Sequence, residues 1–304
     1  MRYRELGSTG LEVSEIGFGA EWMEKKSTAE VKAVADACVA AGINILDCWM
    51  AEPEVRSNLG AAIANNRNRW IIQGHIGSTW QNGQYTRTRD LAFARPAFED
   101  LLARLGTDHV DFLLLHRPDA LMEPEEVAEA FDRLEAQGKV LHFGVSNQNP
   151  GQMELLRRAV RQPLLFNQLQ FGPMHTGMID SGLNVNMTNP PSVDHDGGLL
   201  EYCRLNGVTI QPWSPYQYGF FEGVYLDNPQ FPALNQALGE LAAQKGISAQ
   251  ALVIAWILRH PAGMQPIVGT TKPERLKDIA AAYDVELTRP EWYAIYRAAG
   301  NVLP

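Results

Sequence analysis

Cysteine is scarce: Cys38, Cys48 and Cys203 are the three in 304 residues. None stands in a CxxC or Cys/His spacing, which excludes an iron–sulfur ligand run and a disulfide framework and makes a reducing cytoplasm the expected location. Positive charge is also short, with 26 Lys and Arg against 35 Asp and Glu and a formal net charge of -9. Such a surface repels phosphate backbones and anionic lipid, so neither nucleic acid nor a membrane is an expected partner. A small molecule held in a local basic pocket remains compatible. No apolar run approaches the roughly 20 residues of a membrane span. The opening stretch MRYRELGSTGLEVSEIGFG has no apolar core of a secretory signal. A glycine-rich GxGxxG after the first strand-like run is missing too, which argues against a doubly wound dinucleotide-binding sheet. Nothing in the composition specifies an oligomeric state.

What is present is a repeated alternation. Strand-like runs occur at 14–20, 43–47, 70–75, 110–116, 142–146, 164–170, 208–214 and 265–269, several of them apolar at consecutive positions. Continuous apolar runs fit strands buried on both faces of a parallel sheet. Helical patterns lie between them. Ser27-x-x-Glu30 forms a capping box ahead of Val31, Val34, Ala35 and Cys38, and Gly42 stands where a C-terminal cap belongs. Pro124-Glu125 suits a first helical turn, and 232–260 has room for two helices broken near Gly246. Eight strands alternating with helices predict a (β/α)8 TIM barrel, one domain over residues 1–304. Two long segments, 172–198 and 216–231, are expected as loops over the active face, the first irregular and the second rich in aromatic residues.

In such a barrel, chemistry concentrates at the C-terminal strand ends. Asp47, His75 and His116 end the second, third and fourth strands and form one candidate cluster. Imidazole and carboxylate also suit zinc or iron, but no local ligand spacing supports that, and no metal is expected. Ser146, Asn147 and Gln168 bring a hydroxyl and amides to the same mouth, where buried amides more often serve neighbouring backbone. Trp213, before Ser214, offers a flat ring that packs in the core or stacks on a planar ligand. Gly269, Thr271, Lys272 and Arg275 surround a helix start, a ready site for phosphate.

Taken in order, RELGSTGLEVSEIGFG, GINILD, DFLLLHRPD, GVSNQ, FNQLQF, QPWSPYQYG and IVGTTKPERLKDI resemble the aldo-keto reductase superfamily along nearly the whole chain. The stretch TGMIDSGLNVN and the ending EWYAIYRAA are most similar to the bacterial YdhF-like branch. The resemblance implies an NADP(H)-dependent oxidoreductase acting on a carbonyl or alcohol. It implies that Ser146, Asn147 and Gln168 hold the nicotinamide carboxamide and that Trp213 stacks on the ring. Ser214, Gly269, Thr271, Lys272 and Arg275 would line the pyrophosphate and the 2′-phosphate.

The family's reaction uses Asp, Tyr, Lys and His, the tyrosine protonating the carbonyl oxygen. Asp47 and His116 match this pattern. The lysine position is His75, and counting five residues from Asp47 reaches Glu52 rather than tyrosine. No tyrosine lies between Asp47 and Tyr85. A substituted acid/base set is therefore expected, with Glu52, His75 and His116 as candidates and with Trp22 and Trp49 shaping a pocket for a sugar-like or bulky planar substrate. Two other functions share the pattern: a redox-neutral epimerase, dehydratase or lyase, and a non-catalytic NADPH-binding regulator.

Overall fold

The computed structural model describes residues 1–7, 9–23, 26–48, 53–81, 84–87 and 91–304. Its main sheet has eight parallel strands: β1 (Gly17–Gly19), β2 (Ile45–Asp47), β3 (Ile71–Ile76), β4 (Val110–Leu115), β5 (Val140–Ser146), β6 (Leu164–Gln170), β7 (Thr209–Trp213) and β8 (Ile267–Val268). From β1 to β7 each pairs with the next in sequence, and β8 returns to β1 with Ile267 opposite Gly17. The Gln265 N–H donates to the Ile210 carbonyl at 2.9 Å, which draws β8 and β7 together and closes the TIM barrel. All eight expected strands form, most of them trimmed at their ends, while β3 runs on to Ile76 and β5 begins earlier, at Val140. β4 shows why they were legible: all six residues of VDFLLL are buried, as in a strand covered by helices outside and side chains inside.

The predicted caps are formed. Ser27 Oγ accepts the Glu30 N–H, and the Glu30 carboxylate accepts the Ser27 N–H at 2.9 Å, opening the helix Thr28–Ala40. That helix turns out through Gly42, whose φ of +81° an L side chain rarely adopts. Pro232–Lys245 and Ala249–Leu258 meet at a bend of 89° after Gly246, and Ser248 caps the second. Ala251 to Ile257 are buried on every side, so this apolar helix belongs to the core. No single helix among the described residues is long and apolar enough to cross a membrane.

Inside the barrel, polarity divides by strand. Ile45 of β2, Phe112 and Leu114 of β4 and Phe166 of β6 form an apolar layer, joined by Leu6 and Val13 from an N-terminal hairpin. β3, β7 and the approach to β8 instead turn buried Gln73, Gln211 and Gln265 inward. Alternate strands supplying alternate layers is the packing rule of this fold. β1 contributes no bulk, because a Cβ on Gly17 would lie 2.5 Å from Ile267 Cδ1 and 2.6 Å from Ile45 Cγ2.

Four features differ from the sequence expectation. Tyr3–Glu5 and Glu12–Ser14 form the antiparallel hairpin that supplies Leu6 and Val13, in an opening stretch for which no strand before residue 14 is expected. A second hairpin, Ser78–Gln81 with Gln84–Arg87, follows β3. Segment 172–198 is not irregular throughout: it holds the helix Gly177–Leu183 and the 3-10 turn Pro190–Ser192. Met178 and Ile179 bury their side chains, and the Tyr296 hydroxyl donates to Asp180 at 2.6 Å, so packing overrides a composition rich in Gly, Asn and Pro. Segment 216–231 contains the short hairpin Gln217–Tyr218 and Gly223–Val224.

Candidate active site

Asp47, the last residue of β2, is buried and accepts hydrogen bonds from three neighbours. Gln73 Nε2 donates to Oδ2 at 3.0 Å, Gln168 Nε2 donates to the same oxygen, and His75 Nε2 lies 2.9 Å from Oδ1. The β-sheet register explains the convergence, since Asp47 pairs with Gln73 and His75 follows on the same face two residues later. The other nitrogen of His75 is different. Nδ1 is buried and finds no hydrogen-bond partner among the described residues. His116 stands beside it, with ring centroids 5.4 Å apart and planes at 73°, and His116 Nδ1 lies 3.3 Å from Ser78 Oγ. Asp47, His75 and His116 thus meet at the strand ends, as the sequence reading expects. Among the described residues no group of three His, Cys, Asp or Glu side chains is arranged to hold a metal ion.

The neighbouring strand ends carry a second constellation. Ser146 Oγ donates to the Gln168 carbonyl at 3.0 Å, Asn147 Nδ2 donates to Ser146 Oγ at 2.7 Å, and Trp213 Nε1 donates to Asn147 Oδ1 at 3.3 Å. Gln168 differs from its neighbours in that its amide is engaged with Asp47. Arg117, Asn147 and Ser214, each one residue beyond a barrel strand or its terminal side chain, have φ of 52°, 58° and 49°. Left-handed backbone at non-glycine residues costs energy and clusters where a site must be shaped. The Arg117 guanidinium sits 5.5 Å from the Trp213 ring and 5.2 Å from that of Phe220, while Phe221 stacks on Trp213 at 5.6 Å.

After β8, the helix Pro273–Ala280 begins with Lys272 at its N-cap and no side-chain cap. Lys272 is exposed and Arg275 half-buried, and Thr270 Oγ1 accepts the Lys272 N–H at 3.2 Å. Free N–H groups at a helix start beside two cations suit an anion.

The sequence model of the aldo/keto reductase family matches residues 15–299. The chain belongs to that family. It is 33% identical over 309 residues to the 6-dehydroglucose reductase of Agrobacterium fabrum, covering 96% of each protein. It is 34% identical over 218 residues to the oxidoreductase YdhF of Escherichia coli, covering 71% of this chain and 66% of that one. Among solved structures, the glycerol dehydrogenase of Gluconobacter oxydans superposes with a TM-score of 0.79 at 20% identity, covering 99% of this chain and 96% of its own. An aldo-keto reductase from Klebsiella pneumoniae in complex with NADPH gives 0.75 at 24% identity, covering 96% and 93%. At these identities the two structures speak for the barrel.

The described side chains that meet Asp47 are two glutamines and a histidine, with no tyrosine or lysine among them. Two tyrosines near the strand ends do not fill the gap. Tyr216 and Tyr225 are buried, burial pushes both phenols well above their ordinary range, and their hydroxyls donate to the Gln250 and Pro215 carbonyls. The thiol next to Asp47 is no substitute, because burial, aided by that carboxylate, pushes Cys48 far up. Glu52 and Trp49 lie outside the described residues, as does the Trp22 side chain. Sequence reading missed Gln73, Ser78, Arg117 and Phe221. Gln73 had a signal, being two residues before His75 on a strand and so facing the same way; the others depend on long-range packing.

Proposed function

We propose that this chain is an NADP(H)-dependent oxidoreductase for a carbonyl or alcohol on a sugar-like substrate, with histidine in place of the family's tyrosine and lysine. One observation carries the reading: Asp47 engages Nε2 of His75 and leaves Nδ1 buried and unpaired. An orphaned buried nitrogen costs about 1–3 kcal/mol, and natural structures keep such groups mainly where they have work to do. The names of two relatives support a sugar-like substrate, since the 6-dehydroglucose reductases of Agrobacterium fabrum and Novosphingobium aromaticivorans are 33% and 30% identical.

The residues present fit the cofactor. Ser146, Asn147 and Trp213 form a connected polar and aromatic edge, and the uncapped helix start with Thr271, Lys272 and Arg275 provides donors and charge for phosphate. Ser214 and Gly269 stand at the same strand ends, and Gln168 would have to share its amide with Asp47. When bound, NADPH supplies a hydride to the carbonyl carbon. The chain must then deliver a proton to the oxygen as negative charge builds there. His75 holds that proton on Nδ1, Asp47 stabilises the charged ring through Nε2, and His116 lines the same pocket. Tyr216 and Tyr225, tied to backbone carbonyls, do not share that role.

The cluster of two imidazoles and a carboxylate also favours a redox-neutral reaction, in which a sugar proton is removed and replaced. One experiment separates the two. Purified protein is titrated with NADPH and NADH, then mixed with NADPH and a panel of sugar aldehydes and ketoses while absorbance and solvent-deuterium uptake are followed. NADPH oxidation coupled to a sugar aldehyde supports the proposal. Deuterium uptake without net oxidation replaces it with the redox-neutral reading, and binding without either leaves a regulator.

A further inference from the structure

The buried glutamines form a continuous ladder from the floor of the barrel to Asp47. Its foot is the carbonyl of Ser14, a residue fixed in place by three further bonds. Ser14 N–H donates to Asn44 Oδ1 at 2.7 Å, the Asn44 N–H donates to Ser14 Oγ at 3.1 Å, and Ser14 Oγ donates to the Ile16 carbonyl at 2.7 Å. Gln265 Nε2 donates to the Ser14 carbonyl at 2.6 Å. Gln211 Nε2 donates to Gln265 Oε1 at 2.9 Å and to Gln73 Oε1 at 3.0 Å. Gln73 Nε2 then donates to Asp47 Oδ2 at 3.0 Å. Gln73, Gln211 and Gln265 are fully buried, and Gln211 Oε1 has no hydrogen-bond partner among the described residues.

An amide has a donor end and an acceptor end, and a chain of them runs in whichever sense its terminus dictates. A backbone carbonyl only accepts. Gln265 must therefore present its NH₂ downward and its oxygen to Gln211. Gln211 must present its NH₂ to both neighbours, and Gln73 is left with its NH₂ facing Asp47. The sense of the ladder matters because an inverted Gln73 would set a carbonyl oxygen against the carboxylate.

We infer that Gln73 and Gln211 are positioning residues, which hold Asp47 as an acceptor and thereby fix the proton of neutral His75 on Nε2, leaving the Nδ1 lone pair as its working end. The inference rests on the acid/base role proposed for His75, but its structural core concerns the resting protein alone. With Oδ2 engaged by two amide donors, Oδ1 meets His75 Nε2, and a carboxylate there accepts only from an N–H. Asp47 needs no cofactor or substrate to impose this. The outer partner of an oriented imidazole typically changes activity by about 10–100-fold when removed.

The test is nitrogen-15 NMR of the imidazoles in the full-length protein at a pH where the rings are neutral. His75→Gln identifies the His75 signals by their loss. The wild type is expected to show a single His75 tautomer with the proton on Nε2, protected from solvent exchange. Gln73→Leu removes the top rung and is expected to give a mixture of tautomers with faster exchange of that proton. Gln211→Glu inverts the ladder and is expected to disturb His75 more than Gln211→Leu, although both lie a rung away from Asp47. NADPH binding and the melting temperature report that each variant is folded; if Gln73→Leu fails to fold, the Gln211 pair carries the comparison. A wild-type His75 protonated on Nδ1 would overturn the inference, as would folded Gln73→Leu or Gln211→Glu proteins with unchanged His75 spectra. Failure to oxidise NADPH with any carbonyl, alongside the expected spectra, would remove the proposed reaction and leave the ladder standing.

Discussion

Two buried clusters of rings and polar atoms in this barrel are built to opposite rules. Around Trp256 and Trp292 the indoles stack at 4.5 Å with planes 7° apart, and each Nε1 donates to the other's carbonyl, at 3.0 and 2.9 Å. Phe171 stacks on the same group, and His260 beside it has its Nδ1 satisfied by the Ala262 N–H at 3.2 Å. Around Asp47 the amides are linked from Gln265 to the carboxylate, yet Gln211 Oε1 and His75 Nδ1 are both buried with no described partner. Where burial serves only stability, donors and acceptors close on each other. At the strand ends a ring nitrogen beside a carboxylate is left open.

The sharpest way to break that contrast is at His75. Replacing it with lysine, the residue the family carries there, or with glutamine should lower turnover of the native substrate by about 10²–10⁴-fold, the usual worth of a positioned acid. The folded protein should persist in both, since Asp47 keeps its two amide donors. Steady-state kinetics would show it, and a lysine variant with full activity would mean that the acid lies elsewhere, with Glu52 the next residue to test. The counterpart at the other cluster is Trp256→Ala, which should cost about 3–5 kcal/mol of stability. Denaturant midpoints measure that loss, and a change under 1 kcal/mol would show that the stacked indoles are not the structural anchor described here.

A smaller effect is expected at the helix start after β8. Lys272→Ala with Arg275→Ala should weaken NADPH about 10–100-fold more than NADH, because a charge-assisted bond to a phosphate is worth about 1.5–3 kcal/mol and the exposure of Lys272 leaves the pair worth little more than one such bond. Equal weakening of the two cofactors, read by fluorescence titration, would detach these residues from the 2′-phosphate.

The strands were legible because burial on both faces writes itself as an unbroken apolar run, as in VDFLLL. The helix starts were legible because Ser27 and Glu30 act over three residues. Asp47, His75 and His116 could be placed from the strand ends alone, since the fold brings those ends together. The ladder could not. Gln73, Gln211 and Gln265 lie far apart in sequence and join only through the barrel interior, where a glutamine reads no differently from one on the surface. The helix Gly177–Leu183 was hidden for a related reason, as its local composition opposes it and Tyr296, more than a hundred residues away, helps to hold it.

The smallest expected effect tests the satisfied cluster through its pH dependence. Burial, helped by Arg204, pushes His260 down from its ordinary value of 6.5 to about 4. In the unfolded chain His260 takes up a proton near pH 6.5, which the folded protein refuses until about pH 4. The unfolded state therefore binds more protons between those values. Stability from this group is complete above pH 6.5, declines as the pH falls towards 4 and changes no further below that. The ring is only partly buried, so the loss should be about 1–2 kcal/mol rather than the full linkage value. Replacing His260 with glutamine removes the titration while keeping a donor and an acceptor. Melting curves at pH 7.5 and 4.5 should therefore separate less for His260→Gln than for the wild type, with His142 and the carboxylates cancelling in the comparison. Identical acid sensitivity in the two proteins would mean that His260 is protonated in the fold at no cost. The Trp256–Trp292 cluster would then be less closed to charge than its hydrogen bonds imply.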